Sequence, residues 1–212
     1  MPTATLLSPA PAGSDLFGET SLPAGFAYRD GLFSSGDEAG FIRQFQQLPL
    51  KPFEFRGHLG NRRIAAFGFR YDYSGQVLRP SAVTPDFLAP LREIASRLSG
   101  VPDEALQQAL VTEYAPGAGI GWHRDKPMFE TVVALSFGAA CVLRLRQKVD
   151  GKWKRANAPI APRSGYILHG EVREKWEHSI VPMERLRYSV TFRSFRPDFR
   201  VSDQAREQTA RR

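Results

Sequence analysis

The sequence predicts an α+β chain that is mainly β, a sandwich or barrel of short strands with two early helices over one face. Three observations carry this. The apolar runs after residue 105 are short and bounded by turn residues, as in closed or double-sheet β architectures. Two segments before residue 100 repeat apolar residues at helical spacing. The chain has 212 residues, 42% hydrophobic and 24% charged, which suits one domain with its own core.

Taken in order, residues 1–20 are rich in Pro, Ala, Ser, Thr and Gly and are expected to form a flexible tail. A single domain then spans residues 21–195. Ser35-Gly36-Asp37-Glu38 has the form of a capping box. Phe41, Ile42, Phe45 and Leu48 follow at helical spacing, and Pro49 ends that helix. A second helix is predicted from Thr84 or Pro85 to Leu98, with Leu88, Leu91, Ile94 and Leu98 on one face and Gly100 as its stop. Strands are predicted at 63–73, 106–114, 131–137, 141–146, 165–168 and 187–195. Asp150-Gly151 marks a hairpin turn before Trp153. Residues 196–212 carry scattered charge and few apolar groups, and are expected to form a second flexible tail.

Composition narrows the function. The net charge is +7, which leans toward a polyanionic partner. A single cysteine, Cys141, excludes an internal disulfide and a Cys-based zinc site. It is consistent with a reducing, cytoplasmic setting, and its neighbours Ala139-Ala140 and Val142 favour packing over nucleophilic chemistry. No apolar run approaches a bilayer's thickness, and no basic residue precedes Leu6-Leu7 as a signal peptide requires. The expected molecule is a monomer with no membrane partner.

Four histidines, His58, His123, His169 and His178, limit any metal site. Gly121-Trp122-His123-Arg124-Asp125 holds a His-x-Asp, and on an extended segment residues i and i+2 face one side. A facial triad of two histidines and one carboxylate needs a second histidine from far along the chain. His169 and His178 are the candidates. Arg187-Tyr188-Ser189-Val190-Thr191-Phe192-Arg193 alternates strictly. It reads either as a half-exposed strand or as a barrel strand lining a polar cavity, where two guanidiniums would suit a dicarboxylate.

Tyr114-Ala115-Pro116-Gly117, His123-x-Asp125, Trp176-x-His178 and the 187–193 segment together resemble the AlkB family of Fe(II)- and 2-oxoglutarate-dependent dioxygenases, which act in alkylated nucleic acid repair. The likeness is strong over 105–195 and looser over 30–100. It implies a double-stranded β-helix (jelly-roll) core, with a nucleotide-recognition lid at about 50–80 and the catalytic core at 105–195. It implies His123, Asp125 and His178 as iron ligands, with no further catalytic residue. It also implies Arg187 on the distal carboxylate of 2-oxoglutarate, Arg193 near the co-substrate and Tyr114 hydrogen-bonded to it. Thr112 and Ser189 stand where asparagine is frequent, and both can still hydrogen-bond a co-substrate. Pro127 stands where members acting on methylated DNA often carry an acid.

The implied reaction consumes O2 and 2-oxoglutarate, releases succinate and oxidatively dealkylates an N-alkylated base of DNA or RNA, of the 1-methyladenine or 3-methylcytosine type. The alternatives are a dioxygenase of the same family acting on a protein or small molecule, and a jelly-roll protein that holds metal without turnover. Arg62, Arg63, Tyr71, Tyr73, Trp122 and Lys126 are the candidate substrate contacts, because phosphate contacts come from Lys and Arg and base stacking from aromatic rings. The common parity of Phe67, Phe69, Tyr71 and Tyr73 also fits one buried strand face. Arg144, Arg146, Lys148, Lys152, Lys154 and Arg155 form a second basic group around the hairpin, either solvated or a phosphate track.

Overall fold

The computed structural model describes residues 22–55, 58–72 and 77–199, with Phe55 and His58 through their backbone alone. Tyr73, all of the first expected tail and residues 200–212 of the second lie outside these residues. The elements run β1 (Phe26–Arg29), α1 (Ser35–Gln46), β2 (Lys51–Phe55), β3 (His58–Phe67), β4 (Phe69–Asp72) and β5 (Val77–Pro80). A 3-10 turn at Asp86–Leu88 leads into α2 (Ala89–Ser99). Then follow β6 (Gln108–Tyr114), β7 (Ile120–His123), β8 (Phe129–Gly138), β9 (Cys141–Val149), β10 (Lys152–Ile160), β11 (Ser164–Leu168), α3 (Gly170–Lys175), β12 (Glu177–Ile180) and β13 (Arg187–Phe195).

The capping box sits one residue earlier than the sequence suggested. Ser34 is the N-cap, its hydroxyl accepting from the Asp37 amide at 3.1 Å, while Asp37 accepts from the Ser34 amide. Glu38 instead reaches Arg163 and the Gly138 amide, so it ties the helix to the sheet. The second helix ends as expected, with Gly100 at φ 71°.

Seven strands form one sheet in the order β1-β11-β8-β13-β6-β3-β2, and four form another in the order β10-β9-β12-β7. Period two then divides the core. From β8 and β13, Val133, Leu135, Phe137, Tyr188, Val190 and Phe192 pack under α1 and α2 against Phe45, Leu88, Leu91 and Ala95. From the opposite face, Val132, Ala134, Tyr114, Tyr166 and Leu168 meet Leu143, Leu145, Ala156, Ala158 and Ile180 of the smaller sheet. The two sheets therefore share one interior as a jelly roll, and the helices cover the outside of the larger sheet.

The predicted strand 63–73 is broken at Gly68, where φ is +72° and a Cβ would stand 2.2 Å from the Gln107 carbonyl oxygen. The break separates β3 from β4, so Phe67 and Phe69 do not lie on one strand face. Phe67 enters the helix-side core, Phe69 packs edge-on against Phe195, and β4 pairs only with β5. The start of the expected C-terminal tail is also ordered. The Arg196 amide donates to the Met128 carbonyl, and Phe199 packs on Phe195.

Candidate active site

The pairing of β7 with β12 builds the centre of the site. Its register sets His178 opposite His123, with ring centroids 4.2 Å apart and planes at 57°. Asp125 lies two residues beyond the end of β7, in an irregular segment rather than a strand. Its Oδ2 stands 3.6 Å from His178 Nε2, and its Oδ1 is 2.8 Å from Arg193 Nη2. Arg193 comes from β13 of the other sheet, so this ion pair joins the two walls. It also donates to Gln108 at 2.9 Å. His123 Nδ1 lies 2.9 Å from the Gly121 carbonyl, which favours the tautomer protonated there and leaves Nε2 a lone pair.

Electrostatics hold these three groups in the states a divalent cation needs. Burial pushes His178 down to about 3, helped by His123 and opposed by Asp125. Burial likewise lowers His123. Burial alone would raise Asp125, but Arg193, His178, His123 and Arg173 outweigh it and hold the carboxyl well below its usual range. The donors converge without forming a closed cage. Among the described residues, no group of three or more His, Cys, Asp or Glu is already arranged to hold a metal ion. The donor chemistry, two neutral imidazoles and a carboxylate at one end of a cavity, nevertheless fits iron(II).

That cavity has a volume of about 160 Å³ and lies between the sheets. Thr112, Tyr114, Ser189, Thr191 and Arg193 line it alongside the His123, Asp125 and His178 side chains. Arg187 is not a lining residue. It shares the face of β13 that carries Ser189, Thr191 and Arg193 but is fully buried, 3.1 Å from the Ser136 hydroxyl, with its guanidinium 5.2 Å from the ring of Tyr114, which does line the cavity. Its Nε and Nη1 are buried without a hydrogen-bond partner. Two nitrogens without acceptors on a buried cation fit a carboxylate ligand, because leaving them unsatisfied is costly. His169, which matched no ligand, stands at the N-cap of α3.

The substrate candidates separate. Arg62, Tyr71 and Lys126 line the cavity. Lys126 Nζ lies 4.2 Å over the Tyr71 ring, and Arg62 3.7 Å over Phe53. Arg63 and Trp122 do not line it. Alternation along β3 turns Arg62, Ile64 and Ala66 inward and sends Arg63 to the helix side, where it forms a two-point pair with Glu113. Trp122 is stacked by the guanidiniums of Arg144 and Arg146, at 5.0 and 4.3 Å. Arg146 is also 4.2 Å from the Trp153 ring and bonded to Glu177, so part of the second basic group is held in place.

Sequence reasoning missed Phe53, Gln108, Tyr166 and Arg124 in the lining, and Arg173 behind Asp125. Gln108 and Tyr166 face the cavity by strand parity, a signal readable only once the strands and their inward faces are known.

The family model for the 2OG-Fe(II) oxygenase superfamily matches residues 32–197. The chain is 26% identical over 149 residues to the probable RNA/DNA demethylase ALKBH6 of Danio rerio, covering 70% of this chain and 60% of that protein. It is 24% identical over 146 residues to the alkylated DNA repair protein ALKBH8 homolog of Arabidopsis thaliana, covering 58% and 42%. The chain thus spans about half the length of these curated relatives. The solved structure of OsALKBH1 shares the fold, with a TM-score of 0.62, 15% identity, and coverage of 82% of this chain and 99% of that one. No helix of the described residues is long and apolar enough to cross a membrane. The jelly roll, the family match and these relatives agree: the chain belongs to the 2OG-Fe(II) oxygenase superfamily, enzymes that use Fe(II), 2-oxoglutarate and O2, and within it is AlkB-like.

Proposed function

We propose that this chain removes N-linked alkyl groups from bases of nucleic acid, with His123, Asp125 and His178 holding iron and Arg187 binding the far carboxylate of 2-oxoglutarate. One observation carries the reading most. Two neutral imidazoles and an ionised carboxylate line a cavity together with Tyr114, whose ring packs on a buried, under-satisfied guanidinium. A metal binder without turnover has no use for such a dicarboxylate partner.

Iron with 2-oxoglutarate supplies the oxidising power when bound. The chain's own residues orient the reactants and limit water. Arg193 keeps Asp125 ionised and aimed. The carbonyl of Gly121 fixes the His123 tautomer. Thr112, Tyr114 and Ser189 offer hydroxyls to the co-substrate from the cavity wall. Lys126, Tyr71 and Arg62 at the cavity supply the cation and ring types that hold an extruded nucleotide. The domain bounds read from the sequence, 21–195, belong to this proposal, extended to Phe199 by the contacts of Arg196 and Phe199.

A second reading has a specific observation behind it. Pro127, two places after Asp125, removes an acidic contact expected of enzymes acting on methylated DNA, which favours a protein or small-molecule substrate. The test separates the two. Iron-loaded protein is incubated with 2-oxoglutarate, ascorbate and oligonucleotides bearing 1-methyladenine or 3-methylcytosine. Mass loss from the base together with succinate is the expected result. Succinate without base repair selects the second reading, and neither product refutes both.

A further inference from the structure

Asp125 lacks the support that His123 and His178 have. Both histidines sit in paired strands, whereas Asp125 follows the end of an edge strand and precedes β8 by three residues. Its backbone must be held by something else if the carboxylate is to keep its place.

The next four carbonyls answer this. Lys126 O accepts from the Phe129 amide and from Arg173 Nη2. Pro127 O accepts from Arg196 Nε at 2.8 Å, and Met128 O from the Arg196 amide at 2.9 Å. Phe129 O accepts from Arg173 Nη2 at 2.7 Å. Two arginines, one on α3 and one just past β13, therefore grip every carbonyl from 126 to 129. They are braced against each other, since Arg196 pairs with Glu174, the neighbour of Arg173, and with Glu130. Arg124, on the other side of Asp125, donates to the Glu174 carbonyl.

Arg173 is 4% exposed, and among the described residues it makes no ion pair within 4 Å. Its Nε is buried without a partner. A guanidinium in such a place is a poor device for stability alone. Its field acts on Asp125, and the Asp125 carboxylate in turn favours the Arg173 cation against burial.

We infer that Arg173 and Arg196 form a carbonyl clamp that sets the 125–129 segment, and through it fixes both the Asp125 carboxylate at the metal end and the Lys126–Tyr71 contact at the substrate end. They are positioning residues, and the metal half of the statement rests on Asp125 being an iron ligand. α3 is then the part that joins the metal site to the substrate-facing β4.

Two variants test this. Arg173→Met removes the charge and the forked donor while keeping length, and Arg173→Lys restores a cation. Arg196→Ala, on the more exposed partner, covers the case in which Arg173→Met does not fold. Amide exchange of Lys126, Met128 and Phe129, the residues of this segment that carry an N–H, is measured first, without metal. Faster exchange confined to that segment in Arg173→Met and Arg196→Ala is the expected result. Affinity for Co(II), read from its visible absorption, is then expected to fall about 10–100-fold in Arg173→Met, as for partners behind a metal ligand, with partial recovery in Arg173→Lys. Unchanged exchange at 126–129 in both variants overturns the clamp. Faster exchange with Co(II) affinity and spectrum equal to wild type overturns its role at the metal. A wild-type chain that binds no Co(II), with exchange behaving as expected, leaves the clamp standing and refutes the ligand assignment instead.

Discussion

Replacing Arg187 with methionine gives two effects of opposite sign. The wild-type guanidinium is fully buried, bonded to Ser136 and acting on the Cys141 thiol, while its Nε and Nη1 have no hydrogen-bond partner. Each unsatisfied buried group costs about 1–3 kcal/mol. Methionine is unbranched and of similar length, so it fills most of the space. Without 2-oxoglutarate the variant should be about 1 kcal/mol more stable, a rise in Tm of about 2–4 °C. The same two nitrogens are the proposed partners of the co-substrate carboxylate. Charge-assisted bonds contribute about 1.5–3 kcal/mol each, so losing two weakens 2-oxoglutarate binding by on the order of 10²–10⁴-fold. Metal affinity should change by less than about threefold, because Arg187 is not among the proposed ligands. Thermal melts with Mn(II), with and without 2-oxoglutarate, read all three quantities. A fall in Tm with 2-oxoglutarate binding intact would refute the reasoning. So would equal loss of metal and co-substrate binding.

Three further outcomes follow from the geometry. His178 is lowered to about 3 in the folded chain, so between that value and its unfolded value near 6.5 the unfolded state binds more protons. The metal-free protein should therefore keep its full stability above pH 6.5 and lose it as pH falls, at up to about 1.4 kcal/mol per pH unit for this group. Denaturant midpoints from pH 7.5 to 4.5 check this, and a His178→Asn variant with an equally steep slope would contradict it. Arg63→Ala breaks a pair whose arginine is 51% exposed, so it should cost at most about 1 kcal/mol and leave turnover within twofold of wild type. A tenfold loss of activity would return Arg63 to the substrate site. Changing Lys152, Lys154 and Arg155 to glutamate should lower the salt dependence of single-stranded oligonucleotide binding by about 2 in log–log slope, at roughly 0.7 per phosphate contact. An unchanged slope would mean that the hairpin is simply solvated.

Much of the site was legible because it is carried by local spacing. The His-x-Asp and the alternating 187–193 segment are patterns within short windows, and period two divides Tyr188, Val190 and Phe192 from Ser189, Thr191 and Arg193, whereas the choice of His178 over His169 came only from the family resemblance. The helix at Ser35–Gln46 was legible from its cap and spacing, and its cap slipped by one because Ser34 and Ser35 are chemically equal. What was not legible depends on long-range pairing. Gly68 breaks a strand that its neighbours' propensities would continue, and the reason is the Gln107 carbonyl, 39 residues away. Arg63 and Trp122 carry the right chemistry for a nucleic-acid contact, yet the parity of β3 and the stacking beneath Arg146 turn them elsewhere. Arg173 gave no signal at all, since a lone arginine in a short helix becomes informative only when its carbonyl partners are known.

The central claim is that one metal held by His123, Asp125 and His178 couples 2-oxoglutarate consumption to removal of an alkyl group from a base. The most direct measurement counts succinate formed per repaired base, in wild type and in His178→Ala, on an oligonucleotide bearing 3-methylcytosine. A ratio near one is expected in wild type, and neither product in the variant. Repair that persists in His178→Ala, or succinate formed at the same rate without the alkylated strand, would contradict it.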